Sequence, residues 1–138
     1  MRSFPLFLLA LAAACAAPEV NPFVGAWATA DRQEIAFRDD TVIINPPGAG
    51  PTAMGTAECA GQFRFLYARK SRDALVGLAP TQPDLTRKLG QLLVQPEYQV
   101  AELACGGGAS TYVLLGEREL VAIYRDRDVA GLERLSRL

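Results

Sequence analysis

The chain of 138 residues contains no histidine. That absence removes the side chain best suited to proton transfer near neutral pH and the commonest transition-metal ligand. It also excludes any Ser-His-Asp or Cys-His mechanism. Neither Ser71 nor Ser110 has a lysine three residues on, so a serine-lysine dyad with that spacing is missing as well. No single sign of charge dominates: 14 Lys and Arg stand against 15 Asp and Glu, for a formal net charge of -1. With a pI near 5.4, this balance argues against nucleic acid as a partner, because phosphate binding draws its affinity from clustered basic residues. Internal repeats and low-complexity tracts are absent, and the length suits one domain with a single core. Finally, the apolar run from Phe4 to Ala14, broken only by Pro5, is about half the ~20 residues that a membrane-spanning helix needs.

What that run does have is the order of a secretory signal: a basic start at Arg2, an apolar core, then the small residues around Cys15-Ala16-Ala17-Pro18. With a cysteine at the junction, the segment resembles the signal of bacterial lipoproteins, in which signal peptidase II cuts before a cysteine that has received a diacylglyceryl group. Ala12-Ala13-Ala14-Cys15 stands as the lipobox, with Ala12 where that family usually carries leucine. The resemblance implies a lipid anchor on Cys15 and attachment to a membrane. Because Ala16 occupies the place at which Asp retains a lipoprotein on the inner membrane, it further implies the outer membrane, facing the periplasm. Signal peptidase I is the alternative, cutting after Ala14, Ala16 or Ala17 and releasing a soluble periplasmic or secreted protein. The expected organisation is a signal peptide over 1–14, a lipid-attachment site and tether over 15–22, and one β-rich domain over 23–138.

Three cysteines leave one unpaired, but with lipid on Cys15 the remainder is the even pair Cys59 and Cys105. A disulfide between them closes a loop worth roughly 4 kcal/mol of unfolded-state entropy, before any strain is subtracted. Two buried free thiols, packed as small hydrophobes, are the alternative.

Past the tether the hydrophobic period is mostly two. Strands are expected over Phe23 to Thr29, over Glu34 to Arg38 with Ile35 and Phe37 on one face, and over the β-branched Thr41 to Ile44. Asp39-Asp40 supplies turn chemistry between the last two, and the proline- and glycine-rich stretch from Asn45 to Thr52 reads as a surface loop. Gln62 to Arg69 alternates with Phe63, Phe65 and Tyr67 on one face, Leu66 being the exception. Further strands fall over Tyr98 to Ala104, Thr111 to Leu115 and Leu120 to Arg125, with Gly106-Gly107-Gly108 joining the first two as a wide hairpin turn. One helix is expected where Thr81 caps, Pro83 sits in the first turn, and Leu85, Leu89, Leu92 and Leu93 form an apolar stripe. A second, short helix is expected from Val129 to Leu138, capped by Asp128 and striped by Val129, Leu132, Leu135 and Leu138. The fold class is mainly β: a small antiparallel barrel or sandwich with one inserted helix and a short C-terminal one.

Gly25-Ala26-Trp27, with Phe23 just before it, is similar to the Gly-x-Trp signature that opens the first strand of lipocalins and related small barrels. Periplasmic metalloprotease inhibitors, small barrels with one disulfide, begin the same way. The resemblance implies that Trp27 closes the bottom of a barrel and that an arginine near the last strand packs across it, with Arg125 or Arg127 as the candidates.

Chemistry beyond this is sparse. Asp39-Asp40 and Asp126-Arg127-Asp128 are carboxylate pairs, but turn and capping roles account for both, and the second lacks the glycine and distal glutamate of a calcium loop. Cys105-Gly106-Gly107-Gly108 precedes a strand and no Gly-Lys-Ser/Thr follows, so it is not a phosphate cradle. Arg69, Lys70 and Arg72, near Arg64 and Tyr67, form the main basic group and could meet an anionic surface. No catalytic residue, metal ligand or cofactor is expected. The expected function is that of a noncatalytic envelope lipoprotein binding a partner protein or a small apolar ligand. A structural accessory subunit, docking through Leu132 and Leu135 of its tail, is the alternative. An aromatic-lined cavity that includes Trp27 favours the ligand, and a filled core with an exposed tail stripe favours docking.

Overall fold

The computed structural model describes residues 21–38, 41–44, 61–105, 108–126 and 129–138. They form nine strands and two helices in the order β1 (Gly25–Ala28), β2 (Glu34–Phe37), β3 (Thr41–Ile44), β4 (Gly61–Arg64), β5 (Leu66–Ser71), α1 (Arg72–Val76), α2 (Pro83–Leu92), β6 (Glu97–Cys105), β7 (Gly108–Leu114), β8 (Glu119–Asp126) and β9 (Val129–Arg137). The protein is mainly β, and all pairings are antiparallel.

The strand order is β4-β3-β2-β1-β9-β8-β7-β6-β5. Laid flat, the outermost strands of such a sheet would lie roughly 38 Å apart at ~4.8 Å per step. Yet β4 and β5 are consecutive in the chain, with Phe65 alone between them. Two residues of extended chain reach about 7 Å at most. The sheet must therefore curl until its ends meet at Phe65, as an incompletely closed barrel.

Period-two alternation sorts the side chains into two cores. Inside the curl, Trp27, Ile35, Phe37 and Val42 from the first three strands meet Ala101, Tyr112, Leu120, Ala122 and Leu135 from the later ones. Phe37 holds the centre, with edge-on contacts to Phe65 at 5.3 Å and Tyr112 at 5.1 Å between ring centroids. On the outer face, Val100, Val113, Val121 and Ile123 receive Leu75 of α1 and Leu85, Leu89 and Leu93 of the α2 segment. Each of these leucines is buried, and each contributes roughly 1.5–3 kcal/mol on that account. The leucine stripe thus packs on the sheet, as its spacing requires.

Several local expectations need correction. The cap of α2 is Gln82, not Thr81, and it makes no side-chain cap bond; the Thr86 hydroxyl instead donates toward the Ala79 and Gln82 carbonyls. The expected strand over Gln62 to Arg69 is split at Phe65 and extends to Ser71, whose side chain then caps the unanticipated α1 by accepting from the Ala74 amide. The largest error is the tail. Val129–Arg137 is a strand, not a helix, paired along its length with β8. Residues three apart on a strand point to opposite faces, so Leu135 enters the inner core while Leu132 packs on the outer one. The supposed docking stripe is thus divided between two faces, with Leu138, 66 % exposed, lying outside both cores.

Candidate functional site

The inner face is organised in cross-strand rows fixed by register. One row carries Leu114, Leu120 and Leu135, the next Ala101, Tyr112, Ala122 and Glu133, the next Leu103, Ser110, Tyr124 and Gly131. Polarity therefore increases along the curl, from an apolar end toward the turns that join β6 to β7 and β8 to β9.

The apolar end is sealed around Trp27. Its indole Nε1 donates to the Phe23 carbonyl at 2.9 Å, and the ring is wholly buried. Across the β1–β9 ladder, opposite Trp27, stands Arg137, its guanidinium carbon 4.2 Å from the indole centroid. Its nitrogens donate to the carbonyls of Glu117, Val24 and Pro22. Gly25, at φ +134°, lies against this guanidinium, where an added Cβ would come within 2.8 Å of Nη1. Arginine does lie across Trp27, but it is Arg137 and not Arg125. Arg127 falls outside the described residues, and Arg125 belongs to the other end of the sheet. Arg137 escapes a sequence reading because the spacing of the tail imitates a helix, whereas the tail is a strand.

Tyr112 and Glu133 share one row of the inner face. The Tyr112 hydroxyl is buried with no hydrogen-bond partner among the described residues. Burial pushes its pKa well above the ordinary tyrosine range, and the Glu133 carboxylate adds to this; Ser110 lies near enough to oppose the rise, although the pair falls short of hydrogen-bond geometry. Glu133 is half-buried, and its carboxyl is raised by that burial and secondarily by Asp31. Asp31 accepts a short hydrogen bond from the Thr29 hydroxyl in the turn between β1 and β2, where Arg32 takes a left-handed φ of 67°.

Among the described residues the curl stays open along one seam. β5 pairs with β6 only as far as Leu66↔Glu102, and β4 pairs with β3, so Leu103, Ala104 and Cys105 run past the end of β5 without a ladder partner on that side. At this seam lies a cleft of about 690 Å³. Phe65, Leu66, Leu103, Ala104 and Ala109 give it an apolar lining, and Ser110, Thr111, Glu102 and Arg125 its polar points. Leu66, the exception to its strand's alternation, is 73 % exposed here. Glu102 is held by Lys70 at 2.5 Å. Arg125 follows Ala104 and Ala109 in one outer-face row that continues to Ala130. Its Nε is buried without a partner among the described residues. A buried donor left unpaired costs about 1–3 kcal/mol, a cost that an incoming acceptor would remove.

The expected basic group is dispersed by this geometry. Lys70 is committed to Glu102, and Arg72 spends its guanidinium on α2, donating to the Leu93 carbonyl at 2.5 Å and the Gly90 carbonyl at 2.7 Å. Arg69 keeps a loose, exposed ion pair with Glu97 at 3.8 Å and borders a smaller cleft of about 400 Å³ beside Phe23 and Tyr67. Trp27 is wholly buried in the inner core. Of the cavity expected inside the barrel, Trp27, Phe37, Phe65 and Tyr112 form packed core instead, and the described space opens at the seam. Cys105 ends β6 at the seam. Cys15 and Cys59 lie outside the described residues, as do the signal segment, Asp39-Asp40, the loop over 45–52, Gly106-Gly107 and Asp128. Among the described residues, no helix is long and apolar enough to cross a membrane. Comparison with protein-family models, curated proteins and solved structures returns no match to the chain.

Proposed function

We propose that this chain is a noncatalytic lipoprotein of the bacterial cell envelope that binds a small, mainly apolar ligand in the seam cleft. The cleft itself carries this reading: its volume is within the ordinary range of ligand sites, its lining is apolar, and a few polar groups converge on it. Docking through the tail has lost its support, since Leu135 is in the inner core and Leu132 lies under the helices. The lipocalin-like reading draws support from the Gly25, Trp27 and Arg137 arrangement at the closed end. Lipid on Cys15 holds the domain at the periplasmic face of the outer membrane. A Cys59–Cys105 disulfide belongs to this proposal; the structure shows none, Cys59 lying outside the described residues, and the pairing is supported by chain position alone: Cys105 ends the stretch of β6 that runs past β5, and Cys59 precedes β4 by two residues.

The test of binding is titration of the mature protein with N-phenyl-1-naphthylamine, an uncharged apolar fluorophore. Enhancement should saturate at one site per chain and fall at least tenfold when Ala104→Trp and Ala109→Trp fill the cleft. Equal binding by the filled variant would place the ligand elsewhere and sink the proposal. Intact mass and detergent partitioning of the wild type against Cys15→Ser test the anchor, and alkylation without reductant tests the disulfide. A soluble wild-type protein beginning at Ala17 or Pro18 would remove the anchor, and free labelling of Cys59 and Cys105 would remove the crosslink.

A further inference from the structure

The seam cleft contains one cation without a counter-charge. Its carboxylate, Glu102, is already neutralised by Lys70 at 2.5 Å. Arg125 has neither an ion pair nor a hydrogen bond to its buried Nε among the described residues, and its row neighbours Ala104, Ala109 and Ala130 offer no acceptor side chain. An arginine is always charged and presents a planar fork that fits a carboxylate or a similar oxyanion. In the same cleft, Leu66, Ala104 and Ala109 present apolar surface, with Phe65 and Leu103 buried behind them. A neutral apolar molecule would leave the guanidinium unpaired, whereas an amphipathic anion satisfies both halves of the cleft at once.

We infer that the ligand of this cleft is an amphipathic carboxylate, its acid group paired with Arg125 and its apolar body lying along Leu66, Ala104 and Ala109. The inference rests on the apolar-ligand reading above and adds the charge of the ligand to it. Arg125 sets specificity: it selects the anion over an uncharged molecule of the same shape.

The experiment compares dodecanoate with dodecanol as competitors for bound N-phenyl-1-naphthylamine, using the mature protein at pH 7.5. Wild type should prefer the acid at least tenfold, and the preference should shrink as salt is added while dodecanol binding stays constant. Arg125→Gln should bring the two competitors within about threefold of each other, chiefly by weakening the acid. Ala109→Asp keeps Arg125 but places a carboxylate in its row; it should abolish the preference equally, and it decides the matter if Arg125→Gln does not fold. Equal displacement by both competitors in wild type would overturn this inference and leave the apolar site standing. An acid preference that survives the substitution would also overturn it. Failure of the fluorophore to bind at all would remove both readings together.

Discussion

Arg137 and Trp27 face each other across the β1–β9 ladder, the guanidinium carbon 4.2 Å from the indole centroid, in the short pairing that joins the first four strands to the rest. That ladder has only two registered pairs, so side-chain bonds must supply what the backbone does not. Arg137 supplies them by donating to Pro22, Val24 and Glu117, which ties the start of the domain to the β7–β8 turn. Arg137→Ala should cost about 2–4 kcal/mol in urea unfolding, with loss of the near-ultraviolet signal of Trp27. Arg137→Lys should recover less than half of this, because an ammonium cannot reach three separated carbonyls and stack as well. Gly25→Ala should cost about 1–3 kcal/mol, since φ +134° strains any residue with a Cβ.

A second close approach lies between Tyr124 and Gly131, cross-strand partners on the inner face. A Cβ on Gly131 would overlap the Tyr124 ring carbon Cζ and the hydroxyl oxygen, both of which occupy the space that glycine leaves. Gly131→Ala should destabilise the protein by about 1–3 kcal/mol through displacement of that ring. In a double-mutant cycle Tyr124→Ala should remove most of the penalty, because the obstruction is then gone. Additive losses would mean that the glycine is needed for its backbone and not for the ring.

These two contacts explain what was legible in the sequence and what was not. Strands with Ile35 and Phe37, or with Val113 and Val121, announce themselves because one face carries large apolar residues and the pattern has no other use. The stripe of Leu85, Leu89, Leu92 and Leu93 is equally plain, since a helix with one apolar face must cover something. β9 conceals its period because its inward positions are Gly131, Glu133, Leu135 and Arg137: a space for a ring, a carboxylate, a core leucine and the partner of Trp27. With function and close packing spread over one face, the spacing of Val129, Leu132 and Leu135 was left to imitate a helix. Arg125 stood out in the sequence only as a candidate to cover Trp27, and nothing there pointed to a cleft. A lone arginine in a strand reads as a solvated charge, and only the register against Ala104 and Ala109, with β5 ending at Leu66, places it in the cleft.

Arg72 joins β5 to the helices, and its role there is mechanical. Its side chain meets the Gly90 and Leu93 carbonyls, acceptors that α2 itself leaves open, at the negative end of that helix. Arg72→Ala should cost about 1.5–3 kcal/mol and speed hydrogen exchange in α2 before the sheet. The neighbouring Gly90 should respond in the opposite direction. An added Cβ there meets Arg72 Nη2 at 3.6 Å, an ordinary contact, so Gly90→Ala should stabilise the helix by about 0.5–1 kcal/mol. If Arg72→Ala left α2 protected and stability unchanged, these bonds would be incidental.

Glu133 gives the fold a pH dependence of definite sign. Burial, and secondarily the nearby Asp31 carboxylate, hold its carboxyl above the ordinary glutamate range. The folded protein therefore keeps a proton on Glu133 at pH values where the unfolded chain has already released it. The stability this residue contributes is fully present below the ordinary glutamate pKa and is lost as pH rises through the raised folded value. Glu133→Gln, which cannot ionise, should melt above wild type near pH 7. The gap should close as the pH is lowered and the native glutamate becomes neutral. Because much of the side chain remains in contact with water, added salt should shrink the part of the effect that comes from Asp31 and leave the desolvation part. Tm measured from pH 4 to 8 for both proteins decides it: a Gln variant less stable than wild type at pH 7 would mean that the carboxylate is doing something for the fold that repulsion and burial do not describe.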